Sequence, residues 1–235
     1  MKRVSLARFT ELLSGSVAAH GHLCPGQVVG VRMGILGLRL LEFDIPPTLP
    51  QLKQLIVFVE MDRCTGDAVA HVTNVKLGRR SLKFVDYGIM AATFINLATS
   101  QAFRIISTEA SRDLALLYAP GLTKREAQLQ AYRMMPDGAM FQVQEVKVDL
   151  SEFDLPGPTR WKVTCSKCGQ VVRDHREVER HGQTLCRPCA LGAYFSSPRN
   201  IAWPEMDWSP GSPESLLDRP GCLQAADRGQ GGVRE

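Results

Sequence analysis

This sequence has no large charge excess of either sign: 28 Lys+Arg stand against 24 Asp+Glu, a net +4. A balance that mild gives no electrostatic signature of a nucleic-acid binder. It has no apolar run of membrane length. Residues 12–31 carry no formal charge, but they include His20, His22, Pro25 and four glycines, and a spanning helix needs about 20 mostly apolar residues. It has no convincing leader. Met1-Lys2-Arg3 starts like one, and Arg8 and Glu11 then interrupt the apolar region. The expectation is a cytoplasmic protein without membrane contact. There is no internal repeat. Wholesale disorder is excluded as well, because 44% hydrophobic and 22% charged residues match ordinary globular usage.

What is present is a chain of 235 residues, long enough for one domain and a smaller module. Four of its seven cysteines form two C-x-x-C pairs, a spacing that favours metal over disulfides. Residues 5–19 read as an amphipathic helix, with Leu6, Phe9, Leu12 and Leu13 on one side. Residues 27–41 read as a second helix, with Val28, Val31, Ile35 and Leu38 at steps of three or four. Gly26, Gly30 and Gly34 line a bare stripe on it, read as tight packing against a sheet; dimerisation through the stripe is the other use open to it. Residues 55–60 (LIVFVE) and 81–87 are strand candidates and 65–75 a short helix. Residues 91–106 contain a further strand and 112–118 are helical. Thr123-x-x-Glu126 is a capping box that opens a helix through Met134. Residues 139–150 alternate like a strand. Helices and strands without a strict βαβ rhythm indicate an α+β core.

Pro156-Gly157-Pro158 marks a boundary. It divides a core, residues 1–156, from a cysteine-rich module, residues 160–195. A Pro-rich tail, residues 196–235, is expected to be largely unstructured, with Trp203 and Trp208 able to dock on the body and Cys222 incidental. In the module, Cys165-x-x-Cys168-Gly169 and Cys186-x-x-Cys189 are 17 residues apart. Four thiolates brought together by a fold-back suit a tetrahedral zinc ion, and Gly169 provides the permissive backbone that a metal knuckle needs. Val171, Val172 and Val178 supply short strands between the pairs. A closed four-thiolate site has no open position, so its role is folding. Residues 160–199 hold eight Lys/Arg and three Asp/Glu. That basic face is either a docking surface for an acidic protein or nucleic acid, or a solvated ribbon that offsets the negative zinc–thiolate centre. The second reading is favoured, since a charge run alone is weak evidence.

His20-Gly21-His22-Leu23-Cys24-Pro25-Gly26 is the most chemically loaded stretch of the core. Cys24 stands where a helix N-cap would, and Pro25 suits the first helical position because its missing N–H has no partner there. First-turn amides and the helix dipole are expected to favour the Cys24 thiolate. His20, His22 and Cys24 supply three ligands, a set that leaves a coordination position for water or substrate. On the residues alone, a histidine capping backbone carbonyls and Cys24 as a small buried hydrophobe remain open. A second patch, Glu60-Met-Asp62-Arg63-Cys64-Thr-Gly66-Asp67, follows the LIVFVE run. Cys64 completes the ligand set, pairs with Cys24 as a dithiol, or is a core thiol. Asp67 orients a histidine, acts as a base, or caps a helix. His71 reads as a packed helix residue.

The string His20-Gly-His-Leu-Cys-Pro-Gly-Gln-Val-Val-Gly30, followed by Arg32-Met33-Gly34, resembles the signature of the formylmethanofuran dehydrogenase E-subunit family. The similarity continues through Val59-Glu60-Met-Asp-Arg-Cys64-Thr-Gly-Asp67-Ala68, Gly78-Arg79-Arg80-Ser-Leu82 and Asp86-Tyr87-Gly88, and through the two C-x-x-C pairs with Gly192-Ala193-Tyr194. It covers roughly residues 5–195. The resemblance implies an α+β core with a metal-binding cleft, an appended zinc ribbon, and His20, His22, Cys24, Cys64 and Asp67 as site residues. It links the chain to a molybdenum or tungsten enzyme that reduces carbon dioxide onto methanofuran, although many members stand outside that pathway. One departure is visible: where Gly-Cys-Thr-x-Gly-Lys is expected, this chain has Asn74-Val75-Lys76-Leu77-Gly78-Arg79.

The resulting expectation is a metal-binding protein that serves as an accessory or metal-dependent component of a molybdenum or tungsten redox or one-carbon system. Cys24 and Asp67 stand at the reacting centre. The ribbon holds structural zinc and the core a second divalent ion, zinc first, though nickel, iron or copper also suit His and Cys ligands. The partner is a small-molecule substrate or a redox enzyme. The alternative is a non-catalytic zinc-ribbon adaptor docking on a protein or nucleic acid.

Overall fold

The structure, a computed structural model, describes residues 4–201. Helix α1 (Leu6–His20) begins where the Ser5 hydroxyl accepts a hydrogen bond from the Arg8 amide. It stops at Gly21, whose left-handed backbone, φ 98°, lets its N–H close on Val17 O at 2.8 Å. Helix α2 (Pro25–Leu40) starts three residues later with Cys24 as N-cap and Pro25 in its first turn. The one-turn α3 (Leu49–Leu52) leads into β1 (Leu55–Val59), and α4 (Cys64–Thr73) crosses to β2 (Leu82–Phe84), which runs parallel to β1. Then come β3 (Ala91–Asn96), β4 (Ala102–Ser107), α5 (Ala110–Tyr118), α6 (Lys124–Ala131), α7 (Asp137–Met140) and β5 (Phe141–Glu145). The sheet order is β2-β1-β3-β4-β5, and all pairs except β1/β2 are antiparallel. This is the α+β class expected from the sequence.

Strand alternation sorts the two faces of the sheet. Leu55, Val57, Val59, Ala92, Phe94 and Ile105 meet Val28, Val31, Leu38, Val69 and Val72 of the helices in the main core. Ile56, Ile95 and Ala102 face the other way and are covered by Val146, Val148 and Leu150, which follow β5. The apolar stretch 91–106 makes two strands rather than one. It reverses at residues 97–101, where Asn96 Oδ1 accepts from the Ala98 amide at 3.0 Å. Leu6 is 77% exposed, and the packed side of α1 begins at Phe9.

The glycine stripe of α2 faces a helix and not a sheet. A Cβ at Gly30 would stand 2.6 Å from the Ala68 Cβ, and one at Gly34 would stand 3.0 Å from the Val72 Cβ, both on α4. The missing side chains let the α2 and α4 backbones approach closely. The chain's own α4 fills the stripe, so the idea of a homodimer through it is withdrawn.

The cysteine-rich segment forms two antiparallel hairpins, β6 (Lys162–Thr164) with β7 (Val171–Arg173), and β8 (Val178–Arg180) with β9 (Gln183–Leu185), and α8 (Arg187–Leu191) follows. The turn after β7 is tied to the core. Buried Asp174 accepts from the Arg160 amide at 2.8 Å and pairs with Arg80, while Lys83 Nζ donates to Asp154 O at 2.7 Å and Arg176 pairs with Asp154. By compactness the chain divides into Met1–Cys186 and Arg187–Glu235. Trp203, Trp208 and Cys222, with the rest of the tail from residue 202, lie outside the described residues. Among the described residues, no helix is long and apolar enough to cross a membrane.

Candidate metal centre

Three helix ends converge on one point. His20 is the last residue of α1, Cys24 caps α2, and Cys64 opens α4. Their ligand atoms lie within 4.8 Å of one another. The chain reversal at Gly21 carries the first two there, and the β1–α4 connection delivers the third from the C-terminal end of β1.

Asp67, three residues after Cys64 in the first turn of α4, sits 2.9 Å from His20 Nδ1. A carboxylate only accepts, so Nδ1 carries the proton, and in the neutral imidazole Nε2 then holds the lone pair. That Nε2 is buried and has no hydrogen-bond partner. A buried acceptor left unmade costs about 1–3 kcal/mol. A carboxylate–imidazole pair with one bare nitrogen, clustered with two thiols, is a donor set able to hold a metal ion. Cys24 is buried, but its thiol makes no cap hydrogen bond. The cap hydrogen bond to first-turn amides is not made, and the sulfur lies in the cluster with His20 and Cys64. Burial pushes the Cys64 thiol up, and the neighbouring Cys24 thiol adds to the effect. Two adjacent thiolates repel one another, and a cation between them would offset that repulsion.

His22 does not join this cluster. It lies beyond the Gly21 reversal, exposed, with its ring centroid 4.7 Å from that of His20. Of the four candidates His20, His22, Cys24 and Cys64, the structure brings His20, Cys24 and Cys64 together. Glu60 also stays out. It is buried on the other face of the sheet, in a bidentate pair with Arg104 at 2.7 Å. His71 packs beside Gly15 of α1, as a helix residue should.

In the ribbon, Cys165, Cys168, Cys186 and Cys189 offer sulfurs within 4.8 Å of one another. Backbone N–H groups, that of Cys186 foremost, hold the Cys165 thiol down at about 6. Gly169 takes the left-handed conformation, φ 71°, that the first knuckle requires. Ser166 donates through both its amide and its hydroxyl to Thr184 O, at 2.9 and 3.0 Å, joining the two hairpins.

The family model described as "FmdE, Molybdenum formylmethanofuran dehydrogenase operon" matches residues 19–149, which carry the whole core cluster. The chain belongs to the FmdE family. A curated relative from Archaeoglobus fulgidus, described as a "Probable S-adenosyl-L-methionine-binding protein", is 24% identical over 206 residues, covering 81% of this chain and 55% of the relative. The chain thus spans about half the length of that relative. The crystal structure of a tungsten formylmethanofuran dehydrogenase E-subunit (FmdE)-like protein from Syntrophus aciditrophicus aligns with a TM-score of 0.53 at 18% identity. It covers 83% of this chain and 100% of that one, a likeness of fold.

Within this FmdE chain, Val75 occupies the position where the resemblance led to an expected thiol. It is 1% exposed and part of the apolar core, outside the metal cluster. Two polar residues next to the cluster went unread in the sequence, Ser16 and Gln27, both buried. Their signal was spacing. Each is a polar residue on an apolar helix face, one turn from a ligand.

Proposed function

We propose that this FmdE-family chain is an accessory or metal-dependent component of a molybdenum or tungsten redox or one-carbon system. Its core holds a divalent ion through His20 Nε2, Cys24 and Cys64, and its ribbon holds a structural zinc. The observation that carries the core reading is the buried, unpartnered His20 Nε2 beside two thiols. One nitrogen and two sulfurs suit zinc at about 2.0–2.3 Å, and four sulfurs in the ribbon suit it equally. A divalent ion in the core supplies Lewis acidity at the position that three ligands leave free. Asp67 sets the His20 tautomer and strengthens the nitrogen as a donor. In this reading Cys24 serves as a ligand, and His22 stands at the exposed rim. The family description names a dehydrogenase operon, which supports a redox enzyme as partner.

Metal counting tests the reading. The expected result is two divalent ions per chain, one of them removed by a mild chelator. Cys24→Ser should reduce the count to one while the core stays folded. A single tightly held ion in the wild type, unaffected by Cys24→Ser, would instead favour an adaptor whose only metal is in the ribbon.

A further inference from the structure

Beside the core cluster runs a short buried hydrogen-bond chain that the ligand set does not account for. The Ser16 hydroxyl donates to Gln27 Oε1, and Gln27 Nε2 donates to the backbone carbonyl of Cys64 at 2.8 Å. Gln27 is 0% exposed and Ser16 1%. The placement follows the ligands. Ser16 is four residues before His20 on α1, Gln27 is three residues after Cys24 on α2, and Cys64 is itself the α4 ligand. Each helix that brings a ligand thus also brings one member of the chain, about one turn from that ligand or at it. The Gln27 amide has only one workable orientation, because the Cys64 carbonyl is purely an acceptor and must face the NH₂ group. The Thr65 hydroxyl adds a weaker link to Gly26 O at 3.3 Å, also between α4 and α2.

We propose that Gln27 is a positioning residue for the core metal. It fixes the N-terminus of α4, and with it the Cys64 sulfur, relative to Cys24 and His20. The inference rests on the metal-site reading above and adds what sets the geometry of that site. A buried amide among apolar side chains costs stability unless both ends are bonded. A leucine or methionine of similar size would fill the space with less penalty, so packing alone does not call for glutamine at this position.

The test uses the full chain with its ribbon first loaded with one equivalent of zinc. Cobalt(II) is then titrated and followed by its d–d and thiolate-to-cobalt absorption bands, alongside a thermal melt of each protein. Gln27→Met removes both bonds. Gln27→Glu keeps an acceptor for Ser16 but has no donor for the Cys64 carbonyl. Both variants are expected to melt cooperatively, to bind cobalt about 10- to 100-fold more weakly than wild type, and to show shifted bands. Unchanged affinity and bands in these variants would overturn the proposal, whatever happens to their melting temperature. Should neither fold, Ser16→Ala decides. It leaves the Gln27 amide tethered at one end, and a smaller shift in the same direction is expected, whereas wild-type affinity and bands would overturn the proposal. A wild type that takes up no cobalt once the ribbon is filled would remove the metal-site reading itself, and the positioning role with it.

Discussion

Replacing Gly30 with alanine should break the spacing on which the core site depends. A Cβ there would stand 2.6 Å from the Ala68 Cβ and 2.6 Å from the Thr65 carbonyl oxygen, with the Thr65 Cα at 3.0 Å. Ordinary carbon contacts lie near 3.5–4.0 Å, so α2 and α4 would have to part by roughly 1 Å. Two of the three obstacles are backbone atoms, which cannot swing away as a side chain can. Overpacking of this kind costs about 1–3 kcal/mol, and rigid neighbours put it near the upper end. Alanine regains about 1 kcal/mol as a better helix former than glycine. The net expectation is a loss of about 2 kcal/mol, or roughly 4–8 °C in melting temperature for a chain of this size. The same parting moves Cys24 and Cys64 apart, so the core ion should bind more weakly while the ribbon ion is untouched. Gly78→Ala is the control, since a Cβ there meets nothing within 4 Å, and its effect should stay within about 0.5 kcal/mol. Paired thermal melts and metal titrations read both quantities. A Gly30→Ala protein that melts with wild type and binds the core ion as tightly would refute the reasoning.

Two further outcomes follow from the electrostatics. Binding an ion displaces thiol protons, so loading of the core should rise with pH. Because burial holds the Cys64 thiol up while backbone amides hold the Cys165 thiol at about 6, the core ion should be released at a higher pH than the ribbon ion during an acid titration followed by a metal indicator. Asp174 is held below the ordinary carboxylate range, first by the Arg160 amide and then by Arg80. Its contribution is present above the usual carboxylate pKa and is lost as pH falls through the lowered value. Asp174→Asn should therefore mimic acid at neutral pH. Faster hydrogen exchange at the Arg160 and Trp161 amides is the expected readout, and unchanged protection would show that the carboxylate does not hold the turn.

Local chemistry was legible in the sequence wherever the responsible partners are neighbours along the chain. Cys24-Pro25 and the Thr123–Glu126 box marked helix starts within a residue or two, because caps satisfy amides three or four positions away. The two C-x-x-C pairs with Gly169 marked the ribbon for the same reason. One feature was misread because its partner is remote. The stripe of α2 looked like a sheet contact, yet small residues serve helix and sheet neighbours alike, and only the β1–α4 crossover reveals which one arrives. Which of His20 and His22 would lie against both thiols was not legible either, because no local rule says on which side of a left-handed glycine a remote cysteine will arrive.

The sequence by itself thus determined the donors on offer, the helix ends that present them and the α+β class, since each of these depends on side-chain chemistry and short-range backbone bonding. Only the tertiary structure decided that Cys64, 40 residues past Cys24, lies against His20 and Cys24 while His22 stays at the surface. It also decided that Asp67 leaves His20 Nε2 bare and that Ser16 and Gln27 link the three ligand-bearing helices. The physical reason is that a ligand set is a matter of distances across packed helices, and those distances are set by which side chains are missing at Gly26, Gly30 and Gly34.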